Sequence, residues 1–339
     1  MLRAVIIVCC LLLVQVHPSA ADTRVIQVGV VGLASDLPIY LAEKRGYFKE
    51  EGLAVNLVPF VSAAKMIGSL GTGELDVGGG ATSAALYNAI NRGVQLSIVA
   101  DKGQIAPHYS YKALMVRSAL ATTFKSLADL KGKRVGIVAV GAADTSVLHQ
   151  ALLKGGLQDA DVNVVYLSFP QQVIAFQTGA VDVAISAEPD ITEMLRRKVA
   201  ERFAGLESFY PGQQVAVLLY GGEFSKQHEL GLRFMRAYLH GARDYAATLH
   251  DGKITGPDAD AIIGELMAMT GIKDATIFHE AVPPFIDPDG QVNMQSLQTD
   301  FDYFKQEGLV PAGFALASAV NPSFAREATA SLPPHAATP

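Results

Sequence analysis

Asp36 and Asp144 each stand directly ahead of an apolar stretch with helical spacing, LPIYLA after the first and TSVLHQAL after the second. A carboxylate in that position can accept a backbone N–H from the first helical turn. It also occupies the place where free N–H groups and the helix dipole would otherwise attract an anion. Glu188, ahead of Pro189, is a third carboxylate, able to accept hydrogen bonds from an amine or ring N–H. Thr82 falls at the position matching Glu188 in an earlier, similar stretch. Ser83, Thr145 and Ser146 add short hydroxyls that donate or accept. Tyr109 and Gln213 complete the candidate set. These residue types recognise a small polar solute. An apolar-walled cleft carrying three carboxylates should prefer a neutral, zwitterionic or amine-bearing molecule to nitrate or a plain alkanesulfonate.

Catalytic patterns are missing from the chain. It contains no Gly-x-x-x-x-Gly-Lys-Ser/Thr, no Gly-x-Gly-x-x-Gly, no Gly-x-Ser-x-Gly and no His-Glu-x-x-His. Ser62-Ala-Ala-Lys65 matches Ser-x-x-Lys, but its companions Ser-Asp-Asn and Lys-Thr-Gly are absent, so it reads as a helix start with a surface lysine. The eight histidines are scattered, with no pair at metal-ligand spacing. No catalytic residue, metal or cofactor is expected, and the chain is not expected to be an enzyme.

The elements that must position these residues follow from a repeated phrase. TGELDVGGGATSA begins at Thr72 and TGAVDVAISAEPD at Thr178. Each is preceded by a helical apolar pattern (VSAAKMIGSLG; PQQVIAFQ), a β-branched run (LAVNLVPF; VNVVYLSF), another helix stopped by glycine (Gly52; Gly155 and Gly156) and an opening strand (VIQVGVV; RVGIVAV). The order strand–helix–strand–helix–strand therefore occurs twice, which predicts two βαβαβ units, each a parallel sheet covered on both faces. Gly73, Asp76, Gly179 and Asp182 read as turn chemistry, and solutes gather where strands of such sheets end.

HYSYKALMVR (108–117) and YPGQQVAVLLYGG (210–222) read as extended segments that carry the chain between lobes, with a hinge at about 109–116 and 213–220. The expected division is lobe 1 over 24–110 plus 219–310 and lobe 2 over 111–218. Long amphipathic helices are expected near 224–250, 257–270 and 293–307, and a disordered tail over 325–339.

The chain has 339 residues, 50% hydrophobic and 18% charged, enough for two domains with real cores. A net charge of −6 without any Lys/Arg cluster argues against nucleic acid. Arg3, the apolar run AVIIVCCLLLV and the small residues PSAAD read as a signal peptide over 1–21, too short to span a membrane. Both cysteines, Cys9 and Cys10, lie inside it. An exported, periplasmic monomer without direct membrane insertion is expected.

LPIYLAEKRGYFKEEGLAVNLV, LGTGELDVG, SLADLKGKRVGI and TGAVDVAISAEP resemble the solute-binding proteins of ABC importers in the nitrate/sulfonate/taurine class. That family also includes proteins similar to carriers of thiamine-pyrimidine precursors. The likeness runs over nearly all of the chain after the signal segment. It implies a two-lobed α/β periplasmic-binding-protein architecture (Venus-flytrap, type II) that closes on a small nitrogen- or sulfonate-containing molecule. It also implies delivery to an ABC permease in the inner membrane. Members that take sulfonate or nitrate usually have a small neutral residue where this chain has Asp144, a departure that points away from a purely anionic solute. Two alternatives are an enzyme on the same fold, of dehydratase or pyrimidine-synthase type, and a ligand-sensing protein that reports to a membrane receptor.

Overall fold

The computed structural model describes residues 24–335; the expected signal peptide and residues 336–339 lie outside the described residues. Two five-stranded sheets organise the fold. The first sheet has β1 (Val25–Val30), β2 (Ala54–Pro59), β3 (Val77–Ala81) and β4 (Leu96–Gln104). The second has β5 (Lys112–Arg117), β6 (Arg134–Ile137), β7 (Asn163–Tyr166), β8 (Val183–Ala187) and β9 (Ala200–Gly205). A last long strand, β10 (Gln214–Gly221), returns to the first. The orders are β2-β1-β3-β10-β4 and β7-β6-β8-β5-β9, the same pattern twice.

The expectation of purely parallel sheets is corrected. β1, β2 and β3 are parallel, as are β6, β7 and β8, but β10 runs antiparallel to β3 and β4, and β5 antiparallel to β8 and β9. The crossing segments do more than link. Each enters a sheet from the side where the parallel strands end, so its strand must run the opposite way. Gln214 therefore starts β10 inside the first sheet, and the boundary expected at 218/219 falls within that strand. The covalent crossings are 105–111 and 206–213, tied together by Ile105 N–H donating to the Gln213 carbonyl at 2.9 Å.

The repeated phrase is structural punctuation. Gly73 and Gly179 end helices Ala63–Thr72 and Phe169–Thr178 at φ +80° and +72°, a left-handed conformation that favours glycine. Asp76 and Asp182 then anchor the third strand of each unit to the first. Asp76 Oδ2 accepts from Gln27 N–H at 2.9 Å, and Asp182 Oδ2 accepts from Arg134 N–H at 3.1 Å. An arginine completes each anchor, Arg24 on Asp76 and Arg134 on Asp182.

The segment LPIYLAEKRGYFKEEG forms two helices rather than one, Leu37–Lys44 and Tyr47–Glu50, because Gly46 adopts φ +82° between them. The later helices His228–Ala246, Ala259–Thr270 and Met294–Gln306 follow the expected positions. The expected disordered tail is corrected over 325–335: helix Ser323–Ser331 places Phe324, Ala325 and Ala328 in the first lobe's core beside Tyr220 and Phe234. Three buried apolar residues on one face hold it there, a signal that the polar, proline-containing sequence beyond it masked. No helix of the described residues is long and apolar enough to cross a membrane.

Candidate ligand site between the lobes

The strand ends of the two sheets face each other, and the lobes are closed upon one another. Ala84 N–H, at the start of helix Ala84–Asn91, donates to the Gly141 carbonyl of the second lobe at 2.8 Å, and Ser83 pairs with Ala142. At the opposite rim Arg196 of helix Asp190–Arg196 forks onto Asp274 (2.7 Å) and Glu280 (2.8 Å) near helix Ala275–Glu280.

Asp36 does not cap its helix. Its Oδ2 reaches back to Val31 N–H (2.8 Å) and Leu33 N–H (3.3 Å), pinning the turn after β1. Oδ1 makes no aligned hydrogen bond, but the Lys102 ammonium lies 2.6 Å away, and neither side chain is exposed. Lys102 also donates to Ser35 Oγ at 3.0 Å. Its orientation comes from a β-bulge: Asp101 opposes Val217 and Gly103 opposes Ala216, which leaves Lys102 as the extra, unpaired residue. Gly79 on β3 makes room for it, since a Cβ there would lie 2.5 Å from Lys102 Cδ.

Asp144 mirrors this arrangement in the second lobe. Helix Ala143–Lys154 starts one residue before Asp144, so the carboxylate sits within the first turn instead of ahead of it, and it caps no N–H. Lys112, at the start of β5, pairs with Asp144 Oδ1, both nearly fully buried, while the Phe169 ring lies 5.9 Å from the ammonium. Asp144 Oδ2 has no hydrogen-bond partner among the described residues. Ser146 Oγ donates to Asp300 Oδ1 at 2.5 Å, and Tyr210 O–H donates to the same oxygen at 2.5 Å. Asp300 belongs to helix Met294–Gln306, whose Leu297, Phe301 and Phe304 pack in the first lobe, so these bonds join the lobes. Burial pushes the Asp300 carboxyl up to about 6. Gln213 is fully buried, with its Nε2 3.4 Å from the Ala143 carbonyl and its Oε1 unpaired. Thr82 is fully buried too, its hydroxyl without a partner among the described residues. Thr145 is partly exposed and donates to the Ala139 carbonyl at 3.1 Å. Ser83 Oγ accepts from Leu86 N–H at 3.3 Å and caps its own helix.

Glu188 and Tyr109 sit elsewhere. Glu188 is neither free nor solvated: Oε2 accepts from Thr192 N–H (3.0 Å) and Thr192 O–H (2.8 Å), and Oε1 lies 3.2 Å from Arg202. Its Oε1 also accepts from first-lobe Val282 N–H at 3.4 Å. Tyr109 packs into the first-lobe cluster with Leu37, Leu41 and Tyr245, its ring 6.1 Å from Phe285. Thus Asp144, Ser146 and Gln213 are brought together around Asp300 and Lys112, whereas Glu188 and Tyr109 are committed to other contacts. The picture of a cleft with three uncompensated carboxylates is corrected. Lys102, Lys112 and Arg202 neutralise Asp36, Asp144 and Glu188 in turn.

The family model described as NMT1/THI5 like matches residues 35–248, a span that holds both copies of the repeated phrase and both crossings. The chain belongs to that family. Among curated relatives, a provisionally named binding protein of Brucella abortus (strain 2308) is 29% identical over 153 residues, 42% of this chain and 41% of the relative. The 4-amino-5-hydroxymethyl-2-methylpyrimidine phosphate synthase of Aspergillus parasiticus is 28% identical over 101 residues, 30% of this chain and 28% of that protein. The chain thus spans less than half the length of these relatives. Among solved structures, the alkanesulfonate-binding protein of Xanthomonas axonopodis pv. citri, bound to MOPS, superposes with a TM-score of 0.68 at 21% identity, covering 89% of this chain and 100% of that one. The periplasmic nitrate-binding protein of Synechocystis PCC 6803 gives 0.72 at 12% identity, covering 92% and 89%. These two likenesses show that this NMT1/THI5-like chain has the two-lobed periplasmic-binding-protein fold.

Sequence reasoning missed Lys102, Lys112 and Asp300. The lysines carried a signal: each interrupts an apolar strand run, SIVADKGQ and YKALMV, where a charge must find a partner or water. Asp300 carried none, because one acid on an amphipathic helix looks like any solvated face.

Proposed function

We propose that the protein is a solute-binding receptor, exported to the periplasm, that captures a small polar molecule between its lobes and delivers it to an ABC permease in the inner membrane. One observation carries this reading. Thr82 Oγ1, Asp144 Oδ2, Gln213 Oε1 and Asp300 Oδ2 are all buried without a hydrogen-bond partner among the described residues, and all lie at the strand ends or beside them. Buried polar atoms are normally paired, and each one left alone costs about 1–3 kcal/mol. Three of these atoms, on Asp144, Gln213 and Asp300, gather at the closing seam of the two lobes, which suits a solute or ordered water that supplies the missing bonds.

With the carboxylates neutralised, the Lys112 ammonium supplies donors and Gln213, Asp144 and Asp300 supply acceptors. A neutral or zwitterionic solute meets both kinds of group, in keeping with the departure at Asp144. The family likenesses to a sulfonate-binding and a nitrate-binding protein support transport as the role.

The test combines heat and shape. A saturating solute, at ~100 times its dissociation constant, stabilises the closed protein by about 2.7 kcal/mol. At about 2–4 °C per kcal/mol for domains of 150–250 residues, the melting temperature should then rise by roughly 5–11 °C. Small-angle scattering should show compaction, and mass spectrometry should recover the solute unchanged. A converted solute would instead favour an enzyme, the reading that the likeness to a synthase supports.

A further inference from the structure

The polar cluster at the seam has an unequal balance of charge. Lys112 is paired with Asp144 Oδ1, and Asp300 is a second carboxylate that feels the same ammonium. Burial pushes Asp300 up to about 6, so it still carries its charge at neutral pH, and one lysine faces two carboxylates. The neighbouring donors are already in use. Ser146 and Tyr210 donate to Asp300 Oδ1, and the Gln213 Nε2 lies 3.4 Å from the Ala143 carbonyl. That contact also orients the amide, since a flipped Gln213 would set its oxygen against the carbonyl. What is left over is uniform in kind. Asp144 Oδ2, Asp300 Oδ2 and Gln213 Oε1 are buried, lack a hydrogen-bond partner among the described residues, and are all acceptors. Gln213 is an amide with no exposed surface, so the demand for donors does not rest on the acids alone. The apolar pocket between the lobes, lined by Leu33, Tyr111, Phe278 and Pro189 among others, encloses only about 40 Å³. It has no room for a sizeable group, and the polar atoms must do the selecting.

An anion would add charge to a cluster that already has one carboxylate in excess. A water molecule brings two donors and leaves that excess charge buried and unmatched, which is costly. A primary ammonium brings three N–H donors and one positive charge, which answers three acceptors and the one unmatched carboxylate. Such a head is about the size of a water molecule, so it asks for no wide cavity. We propose that the solute enters this cluster with a protonated primary amine, held by Asp144 Oδ2, Asp300 Oδ2 and Gln213 Oε1. This deepens the solute-binding reading and rests on it. The nitrogen then decides recognition, and an acid group elsewhere on the solute is optional.

Calorimetry on the exported chain with matched probes tests this. Three pairs keep one skeleton and exchange an ammonium for a hydroxyl: ethanolamine and ethylene glycol, glycine and glycolate, 2-aminoethanesulfonate and 2-hydroxyethanesulfonate. The ammonium-bearing member of at least one pair should bind roughly tenfold to a hundredfold tighter, the worth of a charged hydrogen bond. Its trimethylated form, which keeps the charge and has no N–H, should lose that gain. Asp300→Asn should remove most of the preference while leaving the hydroxyl member's affinity nearly unchanged. Gln213→Leu, which deletes an acceptor and adds no charge, provides the same test if Asp300→Asn does not fold. Equal binding within every pair, tighter binding of the hydroxyl members, or no binding by any probe overturns the inference. So does full retention by the trimethylated form, or an ammonium preference that survives both variants. A cell-extract solute that raises the melting temperature and proves by mass spectrometry to have no protonatable nitrogen overturns it too. Failure of the broader solute-binding reading looks different: no probe, and no small-molecule fraction of a cell extract, would raise the melting temperature.

Discussion

Lys102 and Asp36 face each other across the first sheet's edge with their charged atoms 2.6 Å apart and no exposed surface on either side chain. Removing one partner strands the other charge in a site without water. Lys102→Met should therefore cost about 3–5 kcal/mol, whereas the double change Lys102→Met with Asp36→Leu should recover much of the loss. Gly79→Ala probes the same spot from β3, because the added Cβ would overlap the lysine's side chain. It should cost about 1–3 kcal/mol, less in the Lys102→Met background. Urea denaturation of the four variants measures each term; a Lys102→Met protein as stable as wild type would refute the pair's role.

Asp182 is punctuation rather than recognition. Hydrogen bonding from the Arg134 guanidinium, outweighing the opposing effect of burial, holds its carboxyl below the usual range. A carboxyl depressed in the folded state adds stability that is present above the unfolded value, near 4, and is lost as pH falls through the folded one. Asp182→Asn should thus lower the urea midpoint at neutral pH and soften the fall on acidification. Solute affinity should not change. A large change in affinity with unchanged stability would place Asp182 in the site.

Asp300 has the opposite sign. Burial raises its carboxyl to about 6, so its contribution is greatest below the unfolded value near 4 and is lost as pH rises through about 6. The groups that face it are Ser146, Tyr210, Gln213 and, through its charge, Lys112. Asp300→Asn should flatten the decline of the urea midpoint between about pH 4 and 6. Because its bonds join the lobes, the variant should also populate a more open form by scattering. Parallel pH profiles for both proteins would argue against this assignment.

Arg196 tests the outer rim. Its fork onto Asp274 and Glu280 is solvent-accessible and bridges the lobes, so it favours closure only modestly and is screened by salt. Arg196→Ala should weaken solute binding at low ionic strength, and the difference from wild type should shrink at high salt. A loss that persists unchanged at high salt would mean that the residue acts through packing.

Much of the fold was legible along the chain. The two copies of Thr-Gly-x-x-Asp-Val predicted two equivalent units, and Gly73 and Gly179 end their helices as read. The chain order of helices and strands also follows the apolar periodicity. The site was legible only as a set of candidates. Asp36 and Asp144 were visible as acids at the heads of helices, but their lysines lie on strands far along the chain. Tyr109 and Tyr111 are two positions apart on one segment, yet only Tyr111 lines the interlobe pocket, while Tyr109 turns into the first-lobe core.

Periodicity, glycine caps and the acid that starts a strand act over a few residues, so the linear order of residues was enough to specify the two units and their punctuation. Three features depended on the assembled chain: the insertion of β5 and β10 into the sheets, the neutralisation of Asp36 by Lys102 and Asp144 by Lys112, and the gathering of Leu33, Tyr111 and Phe278 around one pocket. Each joins segments far apart in sequence, and each takes effect only once water is excluded. A buried charge must find whichever partner the packing brings near, and a pocket exists only where distant walls meet.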